Sequence, residues 1–526
     1  MKKSFTLFLS FFLFATVLQA QNPQFSKPIN FPGFSTRTNS ISPGESPRVI
    51  LGTLGNDILL YNYGDNSIYK FNANSLVATP KKLDKKFRFD KVVMFNGTIY
   101  FFNIDIDKSS KKYNLYVQTM NPKTLALSGV YKSVYVMNYA GKKSRANEMN
   151  ITFSSDNSKM LVYCELLDKS PANYYWYFWS WEGRGGNLLN ASYAVFDQTG
   201  ETINKNRSVR TELNSPLYIT DQAVDNDGVV YLSGVTKMDA KNEERSGRKV
   251  FAVQYSEAGT PNAAEIALPN SNFPASCSII VNDKSELFAV GYFTAKKMDN
   301  MLGIYSASVN TKDFKSTEAI VSEFSENFIT KGLESKDAKK VIKELNKGDD
   351  FEKFNYKIHP LQLLKDGTPL YTILKQKTFT ITVRDQFGTT TKYLHHYGDI
   401  ITTNIKADGE PKWIVKIPRD NIYVNLYPFG GVGTTVDNDN QVNIYFTIMD
   451  YIKVLGITKL SDAKIVKHSI STNAEESQEI VYDSKKNTKA AIPGEMILLP
   501  EIGKIYMPGY EGSLVYKWFL MSMKVE

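Results

Sequence analysis

The chain has 526 residues and four histidines, and His359, His395, His396 and His468 are the first place to look for metal or acid–base chemistry. His395 and His396 are adjacent in KYLHHYGDII. Neighbours in a strand point to opposite faces, so these two cannot easily share one ion. A zinc site gathers His, Cys or carboxylate ligands at helical or loop spacings that this sequence lacks. The turns Asp225–Gly228 and Asp437–Asn440 have the residue types of a calcium loop but not its full spacing with a closing Glu. Turn formation is their plainer role. No G-x-S-x-G, no P-loop and no H-E-x-x-H occurs. The glycine groups Gly183, Gly185, Gly186 and Gly430, Gly431, Gly433 lack the strand–helix context of a phosphate cradle. The residues therefore point to no metal, no cofactor and no assignable catalytic group. Asp and Glu are plentiful, and their pairing for glycoside cleavage is a three-dimensional fact hidden from sequence spacing.

The run NYYWYFWSW from Asn173 to Trp181 is the most unusual stretch. In a strand, Tyr175, Tyr177, Trp179 and Trp181 share one face, and Tyr174, Trp176, Phe178 and Ser180 the other. Two aromatic faces suit a strand covered on both sides. They equally suit a surface for a protein partner or a sugar, because Trp and Tyr dominate interface hot spots. Tyr175, Tyr177, Trp179 and Trp181 are therefore the candidate binding residues. Cys164 and Cys277 sit in strand-like apolar surroundings, LVYCELL and ASCSIIV, and read as buried free thiols.

The elements that must position these residues are strands. Aromatics make up 13% of the chain, with 31 Tyr and 31 Phe, which favours pleated surfaces over helices. One unit recurs: a strand-like run, a short turn rich in Asn, Asp and Gly, then a β-branched and aromatic run. It appears at Arg48, Lys91, Ile151, Tyr218, Ser278, Pro360, Gly433 and Glu495. A second hairpin follows at Ile68, Leu115, Tyr193, Phe251, Ile304, Asp399 and Ile457. Two successive hairpins make a four-stranded antiparallel meander, which is a propeller blade. The expected fold is thus an all-β propeller of about eight blades, with seven as the alternative and a β-sandwich pair as the structural rival. The last hairpin, at Glu495, is followed by one strand only, LVYKWFLMSMKV. The segment QFSKPINFP from Gln24 is expected to supply the missing strand and close the ring.

ITFSSDNSKMLVY resembles the Tol-associated WD-type repeat, with Ser155 and Ser158 in place of its Pro and Gly. VDNDGVVYLSGVT resembles bacterial seven-bladed propeller repeats of the form D-x-x-G-x-x-Y-x-x-G, matched by Asp225, Gly228, Tyr231 and Gly234. These resemblances imply the β-propeller repeat superfamily as a fold and imply no activity.

One helix stands out, with Ser335 as its expected N-cap, KDAKKVIKELNK as its body and Gly348 past its end. Ala338, Val341, Ile342 and Leu345 form an apolar stripe expected to pack on the β-domain. The helix defines an insertion at 326–356.

The first twenty residues read as a secretory signal peptide: Lys2 and Lys3, an apolar run from Phe5 to Leu18, and Ala20 before the cut. The run is shorter than the ~20 residues a spanning helix needs, and no transmembrane segment is expected after its removal. Residues 21–526 are then the propeller. The whole chain carries +9, and losing Lys2 and Lys3 leaves 61 basic against 54 acidic residues. The basic residues are scattered, so no nucleic-acid partner is expected. The Q-A-Q-N ending of the leader and the richness in Lys, Asn and Tyr look like exported Bacteroidetes envelope proteins. The expected address is the periplasm or the periplasmic side of the outer membrane, with secretion as the alternative.

Two functions follow as expectations. One is a non-enzymatic binding or scaffold propeller with an envelope or outer-membrane protein partner, in a secretion, gliding or uptake assembly. The other is a carbohydrate-active hydrolase or lyase using carboxylates in the central funnel. Clustered acids, Arg and Tyr in that funnel would mark the enzyme, and an apolar plug would exclude it.

Overall fold

In the computed structural model, the chain is an eight-bladed β-propeller. The structure describes residues 23–30, 48–84, 89–107, 109–129, 131–138, 144–168, 188–209, 217–236, 247–256, 261–269, 272–295, 299–352, 354–385, 388–424, 430–454, 457–484, 489–511 and 517–524. The leader and the four candidate aromatics Tyr175, Tyr177, Trp179 and Trp181 lie outside the described residues.

The repeated hairpins create the blades through their turns. In blade 4, Asp225 closes the turn between the inner strand Leu217–Val224 and the second strand Val230–Thr236. Its Oδ1 accepts from the N–H of Asp227 and of Val229, at 3.0 and 2.8 Å. Gly228 takes the left-handed conformation, φ 88°, that ends this Asx turn. The Tyr231 hydroxyl then donates to Asp225 Oδ2 at 2.9 Å, tying the turn to the strand it starts. Asp437 repeats the arrangement, accepting from Asp439 and Gln441 at 2.9 Å each. Both acidic turns are spent on backbone donors.

The core lies between blades. Among the described residues, the buried apolar side chains form clusters that straddle successive blades. Each sheet is therefore covered on both faces. That explains why strands such as Glu286–Thr294 are buried almost throughout instead of alternating. Hydrogen bonds cross the same boundaries. Examples are Asn204 Nδ2 to the Gly228 carbonyl at 3.2 Å, Thr447 Oγ1 to the Ala491 carbonyl at 2.8 Å, and Tyr506 Oη to the Ala73 carbonyl at 3.0 Å.

Blade 8 joins the two ends of the chain. Its strand Lys517–Lys524 pairs antiparallel with Gln24–Phe25 (Gln24 opposite Ser522) and with Ile29–Asn30 (Ile29 opposite Trp518). Ser26 reinforces the joint: its N–H donates to the Leu520 carbonyl at 2.8 Å, and its hydroxyl accepts from the Leu520 N–H at 2.9 Å. Trp518 packs edge-on against Tyr69 and Phe71 of blade 1, at 5.0 and 5.7 Å between ring centroids.

The connection from blade 5 to blade 6 holds two helices, α1 (Glu326–Thr330) and α2 (Ser335–Lys347). The expected N-cap shifts by one residue. Glu334 holds the extended cap conformation, Ser335 is already helical, and no side chain caps the helix. Gly348 ends it in the left-handed conformation, φ 73°. Ala338, Val341, Ile342 and Leu345 are only half-buried, and no residue of α2 is fully buried. The anchor is instead α1. Ile329 is buried and Phe328 packs against the blade 5–blade 6 core.

Candidate functional site

A meander alternates its ends, so the two faces of the ring are built from different connections. One face has the turns from first to second strand and from third to fourth. These are two to six residues long. The opposite face has the connections from second to third strand and the crossings between blades. Here the chain is generous. In blade 6 the strands Pro369–Asp385 and Gly388–Ile405 stay paired from Leu370 opposite Asn404 to Asp385 opposite Gly388. The inner strand Asn355–Ile358 pairs no further than Gln376. The outer strand Asn421–Val424 pairs as far as Leu394, opposite Phe379, so residues 380–385 project about 20 Å beyond the blade, at ~3.4 Å per residue. Blade 7 extends likewise through Val442–Val454 and Ile457–Ile470. The helical connection begins and ends on this face too.

A network of charges holds α1 in place. Lys416, almost fully buried, donates to the Ile329 carbonyl at 2.6 Å and pairs with Asp399 at 3.1 Å. Lys375 bridges Glu352 at 2.9 Å and Asp399 at 3.2 Å. Burial would lower the Lys375 ammonium, but Glu352 and Asp399 outweigh it and raise it above its ordinary value. At Lys416 burial wins over Asp399, and the group is lowered. Lys331 reaches Glu476 of blade 7 at 2.8 Å, so the insertion also touches the outer rim. These charges satisfy one another and a helix end, which is structural work.

The ring encloses an axial cavity of about 570 Å³. Its wall is built from the inner strands of blades 2 to 6: Lys91–Val93, Met149–Phe153, Tyr218–Gln222, then Ala275, Ser276 and Ser278, and Tyr356 with Ile358, His359 and Pro360. Asn150, Thr152, Tyr218 and Gln222 are half-buried there. Thr220 Oγ1 and Ser233 Oγ both donate to the Cys277 carbonyl, at 2.5 and 2.8 Å, which fixes the wall between blades 4 and 5. Among the described residues lining the cavity, Asp221 is the one carboxylate. Its oxygens accept from the Gln222 and Ile279 N–H groups, at 2.9 and 3.1 Å. The wall is thus neither an acid cluster nor an apolar plug.

His359 lines the same cavity, and its own N–H continues the blade 6 ladder by donating to the Thr372 carbonyl at 2.9 Å. Burial, then the charge of nearby Lys357, lowers its pKa. Lys357 is two residues earlier on the inner strand and is exposed, while Tyr356 beside it is buried. Burial also lowers the Lys357 ammonium.

The other histidines are structural in their contacts. His395 is buried, its Nδ1 is 3.0 Å from Thr378 Oγ1, and burial lowers its pKa to about 4. His396 points the other way, pairing with Asp420 and standing edge-on to Phe354 at 4.8 Å. His468 sits 3.1 Å from Glu476. Among the described residues, no three His, Cys, Asp or Glu side chains gather as metal ligands. Cys164 and Cys277 are free and buried, each pushed up to about 12 by burial.

Sequence reasoning did not find Asp221, Gln222 or His359 as neighbours across one space. Their only signal was that each lies in the first run of a hairpin unit, the position that becomes the inner strand.

No family model and no curated protein matches the sequence. Among solved structures, a protein of unknown function from Dyadobacter fermentans is similar at 9% identity, with 96% of each chain covered and a TM-score of 0.33. The polysaccharide lyase Uly1 is similar at 11% identity, over 97% of this chain and 98% of that one, with a TM-score of 0.36. The WD40 domain of SCAP from fission yeast is similar at 7% identity, over 96% and 99%, with a TM-score of 0.34.

Proposed function

We propose that the protein is a non-enzymatic binding or scaffold propeller of a bacterial cell envelope, exported to the periplasm or the periplasmic side of the outer membrane. It engages a protein partner there, in a secretion, gliding or uptake assembly, through the face with the long hairpins. The observation that carries this reading is the contrast between the two faces. Turns of two to six residues close one of them. The other bears the paired extension of residues 380–393, the extension of blade 7 and the helical connection. Loops and projections set on a rigid ring are where binding surfaces are commonly built.

A carbohydrate-active hydrolase or lyase is the second reading, favoured by a cavity of about 570 Å³ with amide and hydroxyl side chains in its wall. Paired-carboxylate hydrolysis would need a second acid beside Asp221, and the described wall has none.

The test is in-cell cross-linking of tagged protein, followed by identification of the partner. A second protein would carry the blade 6 extension cut back between Phe379 and Leu394 to a tight turn. A stoichiometric envelope partner that is lost on trimming, with unchanged melting, supports the reading. Recovery of only the free monomer from intact envelopes overturns it.

A further inference from the structure

The axial cavity has a chemistry that the partner-binding reading does not use. Its wall includes Asn150 and Thr152 from blade 3, Gln222 from blade 4 and Ser278 from blade 5. The first three are half-buried, and Ser278 is 4% exposed. Among the described residues, none of these four side chains makes a hydrogen bond to the protein. Thr220 in the same wall does, donating to the Cys277 carbonyl. The charges of the wall are few and of both signs. Lys91 is its ammonium and Asp221 its carboxylate, the latter engaged by two backbone N–H groups. Burial lowers the pKa of His359, which keeps its imidazole neutral at pH 7. Phe153 and Pro360 line the same space and are exposed. The Phe153 ring stacks on Phe95 at 5.8 Å between centroids and still keeps 36% of its surface open. The volume, about 570 Å³, falls within the range of small-ligand sites, ~300–1,000 Å³.

We propose that this cavity binds a small neutral sugar, with Asn150, Thr152, Gln222 and Ser278 bonding its hydroxyls and Phe153 covering its C–H face. Amides and hydroxyls both donate and accept, and so does every hydroxyl of a sugar. A wall without net charge offers an anion or a cation nothing to offset its lost hydration. A wholly apolar ligand would cut four polar side chains off from water without giving them partners. A sugar ring carries hydroxyls on its rim and C–H groups on its faces, so it meets both parts of the wall. The inference names a ligand and needs no bond cleavage, so it stands or falls apart from the hydrolase or lyase reading.

Isothermal titration of the whole protein tests this, with cellobiose, maltose, lactose and sucrose as neutral probes and D-glucuronate and inorganic sulfate as anionic ones. At least one neutral disaccharide is expected to bind, and both anions to bind much more weakly. Thr152→Val and Gln222→Leu keep the bulk of each side chain and remove its polar end. Those ends bond nothing in the described protein, so both variants should melt at or above the temperature of the parent. Each should weaken the bound sugar about tenfold, the factor expected when a ligand hydroxyl loses its partner. Cutting back the blade 6 extension should leave the titration untouched, which separates the cavity from the partner face. The proposal is overturned if no neutral disaccharide binds at millimolar concentration, if glucuronate or sulfate binds more tightly than every sugar, or if sugar affinity is unchanged in both variants.

Discussion

Gly234, in the motif D-x-x-G-x-x-Y-x-x-G, shows what its last position does. A Cβ there would stand 2.9 Å from the Tyr218 carbonyl oxygen of the inner strand. Blade 5 repeats the spacing as Asn282, Ser285, Phe288 and Gly291, and blade 8 as Gly503, Tyr506 and Gly509. Gly291 would press a Cβ to 2.1 Å from the Ser276 carbonyl oxygen, and Gly509 to 2.6 Å from that of Ala490. The glycine thus admits the inner strand's carbonyl where that strand bends. Only the blade 4 copy stands out in sequence, because blade 5 replaces Asp, Gly and Tyr with residues of matching geometry but different type. Gly291→Ala should destabilise by about 1–3 kcal/mol through overpacking, read from urea unfolding. Gly503→Ala, with φ 59° and open space around it, should cost only about 1 kcal/mol. His395 offers a test by pH. It is neutral in the fold, with its pKa lowered from 6.5 to about 4. Between those values the unfolded chain binds the extra proton and the folded chain does not. Stability should therefore fall as pH drops from 6.5 towards 4, by up to roughly 3 kcal/mol from this group. His395→Gln should flatten that part of the profile in chemical denaturation.

At the scale of elements, the hairpins were legible because their turn residues act locally. Asp225, Asp437 and their neighbours build the turn from their own side chains, whatever the rest of the fold does. The helix Ser335–Lys347 was legible from its stripe and terminal Gly348, but its way of holding on was not. The anchor is the five-residue α1, too short for a periodic signal, and its partners Lys375, Asp399 and Lys416 come from blade 6. The cavity wall was hidden for the same reason: five blades contribute to it. The aromatic run at 173–181 lies outside the described residues, and its binding role stands as a proposal. Asp399→Asn should leave two buried lysines short of a counter-charge and cost about 3–5 kcal/mol in urea unfolding. Lys416→Met should release α1, seen as faster proteolysis between Thr330 and Gly348.

For the whole molecule, the ring matters more than any blade. Each sheet has both faces buried, so a missing neighbour would expose an entire apolar face. The seam between blades 8 and 1 depends on Trp518 against Tyr69 and Phe71, and Trp518→Ala should cost about 3–5 kcal/mol. Removing residues up to Asn30 would bare the edge of Lys517–Lys524. The protein should then self-associate by strand pairing, measured by light scattering on a sizing column. The pairing of Gln24 with Ser522 also sets a clock. Gln24–Phe25 finds its partner only when Lys517–Lys524, seven blades further along, has been made. Until Lys517–Lys524 is made, the ring stays open at this seam, and its formation closes the ring for every blade before it.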